Sequence, residues 1–297
     1  METLQNEYLR VRISNHGAEL QSVMNAEGHE YIWQGDPAYW AGRSPLLFPF
    51  VGGCLDDEYR VGGKLFKGMP RHGFARMMDF TLQKQTEKSV TYELTSTPQT
   101  LELYPYAFRL RVRYRLKDCE LQVRWRVLNP GSQTMYVSIG GHPAFNLPDL
   151  AAGEPMHGTL RLTPRADRDA QATYRTRLVT PGGNIDDDYA DVPTTGGCDV
   201  AFTEETFRND ALIFDRCQTE AITLLRADGQ PYVRVHSLAP AVGVWSPYGK
   251  NAPFVCIEPW WGIGDRETFH GELPARELIN VLAPGATLQA GYEIHFS

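Results

Sequence analysis

Residues 109–116, RLRVRYRL, set Leu110, Val112, Tyr114 and Leu116 against four arginines with strict alternation. Successive side chains of a strand point to opposite faces, so this pattern buries one side of a β-strand and leaves the other in water. After the short polar link KDCE the alternation resumes, with Leu121, Val123, Trp125 and Val127 inward and Gln122, Arg124 and Arg126 outward. Together the two runs predict an antiparallel hairpin. The arginine stripe reads as a solvated sheet face, paired with some of the 36 acidic residues of the chain.

Alternation returns at residues 8–14, 90–94 and 288–296, and residues 222–225 face 233–235 across the turn signal Asp228-Gly229. Gly62-Gly63 marks another tight turn. Helical signals are scarce: Thr97-Pro98 followed by QTLELY and stopped at Pro105 predicts one short helix, with Thr97 as N-cap and proline at its first position. Strands spaced in this way predict an all-β fold, a large antiparallel β-sandwich with few short helices. Such folds run to 297 residues as one domain, and no linker divides residues 1–297. Residues 148–200 are the least regular part and read as long loops over one face, interrupted by a strand at 158–163. Asp186-Asp187-Asp188 lacks the alternating ligands of a calcium loop and reads as a solvated loop.

The formal net charge of −7 argues against a nucleic-acid partner, which requires a basic footprint. No run approaches 18 apolar residues and the amino terminus lacks a signal-peptide pattern, so no membrane is expected and a cytoplasmic location is. Five cysteines without a CxxC pair suggest reduced thiols rather than a zinc or redox motif. The expected partner is a neutral small molecule, for a monomer or homodimer.

Three stretches break the alternation with glycine, proline, aromatic and ionisable residues: PRHGFAR at 70–76, SIGGHPAFNL at 138–147 and VCIEPWWGIG at 255–264. Each sets one proton-transfer group, His72, His142 or Glu258, beside Gly or Pro and near an aromatic ring. Imidazole titrates near neutrality and a carboxyl buried against tryptophan is raised toward it, which makes an acid and a base available. Each histidine alone is equally at home as a hydrogen-bonded structural residue; Glu258, entering an apolar run, is harder to explain without a role. Trp33, Trp40, Trp260 and Trp261 lie near Gly/Pro-rich segments, where rings either stack on sugar C–H faces or plug the ends of a sandwich. A two-histidine, one-carboxylate metal triad has the right residue types but no HxE or HExxH spacing, and ranks below acid–base use.

Taken together, RHGF at 71–74, GGHPAFN at 140–146 and IEPWWG at 257–262 resemble the aldose 1-epimerase (galactose mutarotase) family in its LacX-like bacterial branch. ISNHGAEL at 13–20, IWQGDPAYW at 32–40, PLLFPFVG at 45–52 and FRNDALIF at 207–214 extend the likeness over nearly the whole chain. The resemblance implies a galactose mutarotase-like supersandwich and a cofactor-free, metal-free interconversion of the α and β anomers of a monosaccharide. Glu258 would be the general base, His142 the general acid, and His72 a hydrogen-bond partner of the sugar. Asp210 would hold a ring hydroxyl, with Trp260 and Phe145 at the sugar or behind its loop. The family's sugar-binding arginine after FPFVG is replaced by Gly53, and Arg43, Arg71 or Arg76 are the candidates to take its place in space. Two other functions remain open on these residues: a sugar-binding or sensing protein without catalysis, and a hexose-6-phosphate mutarotase, for which clustered arginines would be required.

Overall fold

The computed structural model describes residues 1–151, 153–167 and 173–297. Two large antiparallel sheets dominate the described residues. One has nine strands, in the order Asp199–Thr203, His157–Pro164, Thr219–Leu225, Pro231–His236, Thr287–Phe296, Glu120–Leu128, Arg109–Lys117, Ser89–Thr95 and Thr81–Thr86. The predicted hairpin lies within it, with Leu116 opposite Leu121 and Val112 opposite Trp125. The arginine face is exposed: Arg109 and Arg111 share Glu93, and Arg124 pairs with Glu293.

The second sheet runs Ile185–Asp191, Arg175–Val179, Leu212–Phe214, Ala241–Trp245, Phe254–Trp261, Ile139–Gly141 and Leu46–Leu47, and Ala144–Asn146 also pairs with Phe254–Trp261. Inward residues of both sheets share one core: Leu110, Val112, Tyr114, Val123 and Trp125 from the first, Ile139, Phe145, Val255 and Ile257 from the second. Trp125 meets Trp261 edge to face at 5.9 Å between the sheets. Face-to-face packing of two such layers is the sandwich that alternation predicts. The short helix forms at Pro98–Leu103, where Thr97 accepts from the backbone N–H of Thr100.

Within 148–200, of which 152 and 168–172 lie outside the described residues, the chain departs from the predicted loops. Besides His157–Pro164, the strands Arg175–Val179, Ile185–Asp191 and Asp199–Thr203 form there. Ile185–Asp191 and Asp199–Thr203 are edge strands of their sheets, and edge strands carry charge on positions that a central strand would bury. Asp186–Asp188 therefore sit in a strand rather than a loop, and Asp187 accepts from Arg266 at 2.8 Å. No helix among the described residues is long and apolar enough to cross a membrane.

Candidate active site

The strand Phe254–Trp261 has two different faces. Val255 and Ile257 enter the inter-sheet core, whereas Phe254 and Cys256 join Trp33 and Ala144 in a separate cluster, and Trp260 joins Leu47, Ile185, Ile213 and Ile263 in another. Glu258 alternates onto this outer face, between the two clusters, and is 1% exposed. Its strand partner is Gly243, where an added Cβ would come within 2.5 Å of the Trp260 ring. The missing side chain leaves the room that the Trp260 indole fills.

His142 joins Ile139–Gly141 to Ala144–Asn146, and both short strands pair with Phe254–Trp261. Its position relative to Glu258 is thus set by backbone ladders on either side. The imidazole Nε2 stands 3.2 Å from Glu258 Oε1. Trp40 stacks on the ring at 4.9 Å, and Trp245 and His72 meet it edge-on at 5.6 and 5.7 Å.

His72 occupies a turn with φ +67°, followed by Gly73, where a Cβ would strike the Phe48 carbonyl at 2.2 Å. Two hydrogen bonds tie it to Gly52: its N–H donates to the Gly52 carbonyl at 2.8 Å, and Nδ1 accepts from the Gly52 N–H at 3.2 Å. An accepting Nδ1 places the ring proton on Nε2. Across the cavity, Arg71 donates to Asp210 at 3.2 Å and to the Gly183 carbonyl at 2.9 Å, and Arg76 donates to the Arg71 carbonyl at 3.0 Å.

These groups converge on a cavity of about 270 Å³ lined by Trp40, Arg71, His72, Arg76, His142, Asp210, Trp245, Glu258 and Trp260. Its volume is close to that of a small-molecule site. Burial governs its charge state. It raises the Glu258 carboxyl well above the usual range, with the negative charge of Asp210 adding to the effect, and lowers His142 to about 3. His72 is likewise held neutral by burial and by the facing His142, Arg71 and Arg76. Burial thus favours the proton on Glu258 over the proton on His142, with Oε1 and Nε2 3.2 Å apart. Glu258 Oε2, His142 Nδ1 and Trp260 Nε1 make no hydrogen bond of good geometry, although the Trp260 indole lies near enough to ease the carboxyl's charge. A buried polar atom left unpaired costs on the order of 1–3 kcal/mol, and a ligand hydroxyl at Oε2 would remove that cost.

Eight of the residues singled out from the sequence line this cavity: His72, His142, Glu258, Asp210, Arg71, Arg76, Trp260 and Trp40. Two proposed contacts do not. Phe145 is wholly buried between the sheets, because the residue opposite it in the ladder is the core-facing Val255. Arg43 points elsewhere, donating to Gln21 at 2.9 Å while its backbone N–H binds Glu19. Arg71 and Arg76 are thus the arginines that reach the cavity, and Gly53 leaves open space where a side chain would begin. Trp245 was missed: it ends the alternating run AVGVW just before SPYG, the same break in pattern that marks the other three stretches.

His142, Cys256 and Glu258 bring three potential metal-ligand atoms within 4.8 Å of one another. Burial raises both the thiol and the carboxyl, so a metal would have to displace two protons from this set. The arrangement is better suited to handling a proton.

The aldose 1-epimerase family model matches residues 2–295. The chromosomal LacX protein of Lactococcus lactis subsp. lactis is 31% identical over 308 residues, covering 98% of this chain and 97% of that protein. A solved galactose mutarotase related enzyme from Lactobacillus acidophilus superposes with a TM-score of 0.90 at 34% identity, covering 100% and 97% of the two chains. A galactose mutarotase-like protein from Lactobacillus casei gives 0.92 at 29% identity over the full length of both. A match of this extent, on a sandwich of this kind, shows that the chain belongs to the aldose 1-epimerase family.

Proposed function

We propose that the protein interconverts the α and β anomers of a free hexose, with Glu258 and His142 as the proton-transfer pair. The observation that carries this is the buried contact of 3.2 Å between a carboxyl whose hold on a proton burial strengthens and an imidazole whose hold it weakens. Opening a pyranose ring removes a proton from the anomeric hydroxyl and adds one to the ring oxygen, so the proton count of the site is unchanged. Passage of the carboxyl proton to His142 Nε2 as the sugar enters would create carboxylate and imidazolium together. Glu258 then takes the anomeric proton while His142 protonates the ring oxygen, and the roles reverse when the aldehyde recloses on its other face. His72 would donate from Nε2 to a sugar oxygen, Asp210 would accept from a ring hydroxyl, and Trp40 and Trp260 offer faces for the sugar C–H groups. Each positioned acid or base contributes on the order of 10²–10⁴-fold.

Polarimetry or saturation-transfer NMR on fresh α-glucose and α-galactose tests this. Exchange above the buffer blank is expected, and Glu258→Gln should lower kcat by about 10²-fold or more while sugar affinity changes little. Rates equal to the blank across a panel of hexoses, with sugar binding retained, would instead support the non-catalytic binding protein. Arg71 and Arg76 in the cavity favour a second substrate class, hexose 6-phosphates. Competition between glucose and its 6-phosphate separates the two.

A further inference from the structure

Next to the cavity lies a buried ion pair that the proton transfer does not use. Arg276 and Asp265 are 4% and 3% exposed, with Arg276 Nε 2.9 Å from Asp265 Oδ1. One guanidinium nitrogen of Arg276, Nη2, donates to the carbonyls of both Val51 and Gly53, at 3.2 and 2.9 Å, and Nη1 reaches Cys54 Sγ at 3.6 Å. The guanidinium carbon lies over the Phe50 ring at 4.7 Å. Asp265 completes the clamp: Oδ2 accepts from the Leu55 N–H at 3.0 Å, and its own N–H donates to Gly53 at 3.0 Å.

The residue between the two clamped carbonyls is Gly52, and Gly52 is the residue that exchanges two hydrogen bonds with His72. Gly52 also packs directly on Gly264, where a Cβ added to Gly52 would lie 2.5 Å from the Gly264 Cα, and both glycines line the cavity. The peptide that fixes the His72 ring therefore has its two neighbouring carbonyls held by a single side chain and its flank held by close backbone contact.

We propose that Arg276, paired with Asp265, is a positioning residue that fixes the orientation and tautomer of His72 through the backbone of Gly52. Its effect on rate rests on the aldose 1-epimerase function proposed above; its effect on His72 does not. The clamp depends on the spread of the guanidinium, which donates to both carbonyls from Nη2 while Nε lies 2.9 Å from the carboxylate, a span that the single ammonium of lysine does not reproduce. Groups that orient a site residue in this way commonly contribute 10–100-fold to activity.

The test compares Arg276→Lys with the paired replacement Asp265→Leu/Arg276→Met, which removes the ion pair without leaving either charge buried alone. Two readouts are taken: kcat/KM for anomer exchange, and the protonation of each His72 ring nitrogen by 15N NMR on histidine-labelled protein. In the wild type Nδ1 is expected to be unprotonated and Nε2 protonated. In both variants His72 should become a mixture of tautomers and kcat/KM should fall about tenfold or more. In a His72→Ala background Arg276→Lys should cost no further activity, because the route through His72 is already lost. Unchanged His72 tautomer and kcat/KM within twofold in a folded variant would overturn the proposal, as would a full loss that persists in the His72→Ala background. A wild type without anomer exchange would overturn the function, and the NMR readout alone would then decide the positioning role.

Discussion

At the scale of single residues, burial acts on Glu258 and His142 in opposite senses, and the consequence for stability is a dome. Below pH 4.5 the unfolded chain binds a proton on each of the two groups, whereas the native pair holds one until His142 titrates near 3, so stability falls as the pH falls. Between 4.5 and 6.5 both states hold one proton, on histidine when unfolded and on glutamate when folded, and the slope vanishes. Above 6.5 the unfolded chain holds none while Glu258 still keeps its proton, and stability falls as the pH rises. The melting temperature of the wild type, taken relative to the double variant Glu258→Gln/His142→Gln, should be level across that middle window and decline on either side. A difference that climbs from pH 4 to about 6.5 and is level above it would mean that Glu258 is ionised in the folded protein. His72, His142 and Glu258 were legible as a group because each interrupts an alternating pattern with Gly or Pro; the contacts that orient them were not. Arg276 carries no such mark in ELPARELIN, since its meaning lies in carbonyls more than 200 positions away.

At the scale of elements, the strand Phe254–Trp261 sets the floor of the cavity, and its neighbour Ala241–Trp245 leaves room for it at Gly243. Gly243→Ala should push the Trp260 indole into the cavity, raising KM roughly tenfold, as one misplaced methyl does in a fitted pocket. Overpacking of this kind also costs about 1–3 kcal/mol of stability. An unchanged KM would show that the indole does not bound the substrate. Central strands such as Arg109–Lys117 announced themselves by alternation because one face is buried and the other wet. Phe254–Trp261 did not, since both of its faces are covered and Pro259 stands within it. The edge strand Ile185–Asp191 hid for the opposite reason: its sequence IDDDYAD is charged enough to pass for a loop, and its partners Arg177 and Arg266 come from other segments.

At the scale of the molecule, one hydrophobic cluster runs through both large sheets, from Val112 and Trp125 to Ile257 and Phe145. A core shared in this way should unfold as a unit. Calorimetry should show a single transition with equal calorimetric and van't Hoff enthalpies, and two separable transitions would contradict the single domain expected over residues 1–297. The backbone ladders on either side of His142 have a further consequence. Because its spacing to Glu258 is set by peptide groups, which every residue type supplies, that spacing is insulated from most side-chain replacements around it. A chain built this way is free to exchange the greater part of its amino acids without altering that spacing, because the strand pairing around His142 does not depend on them.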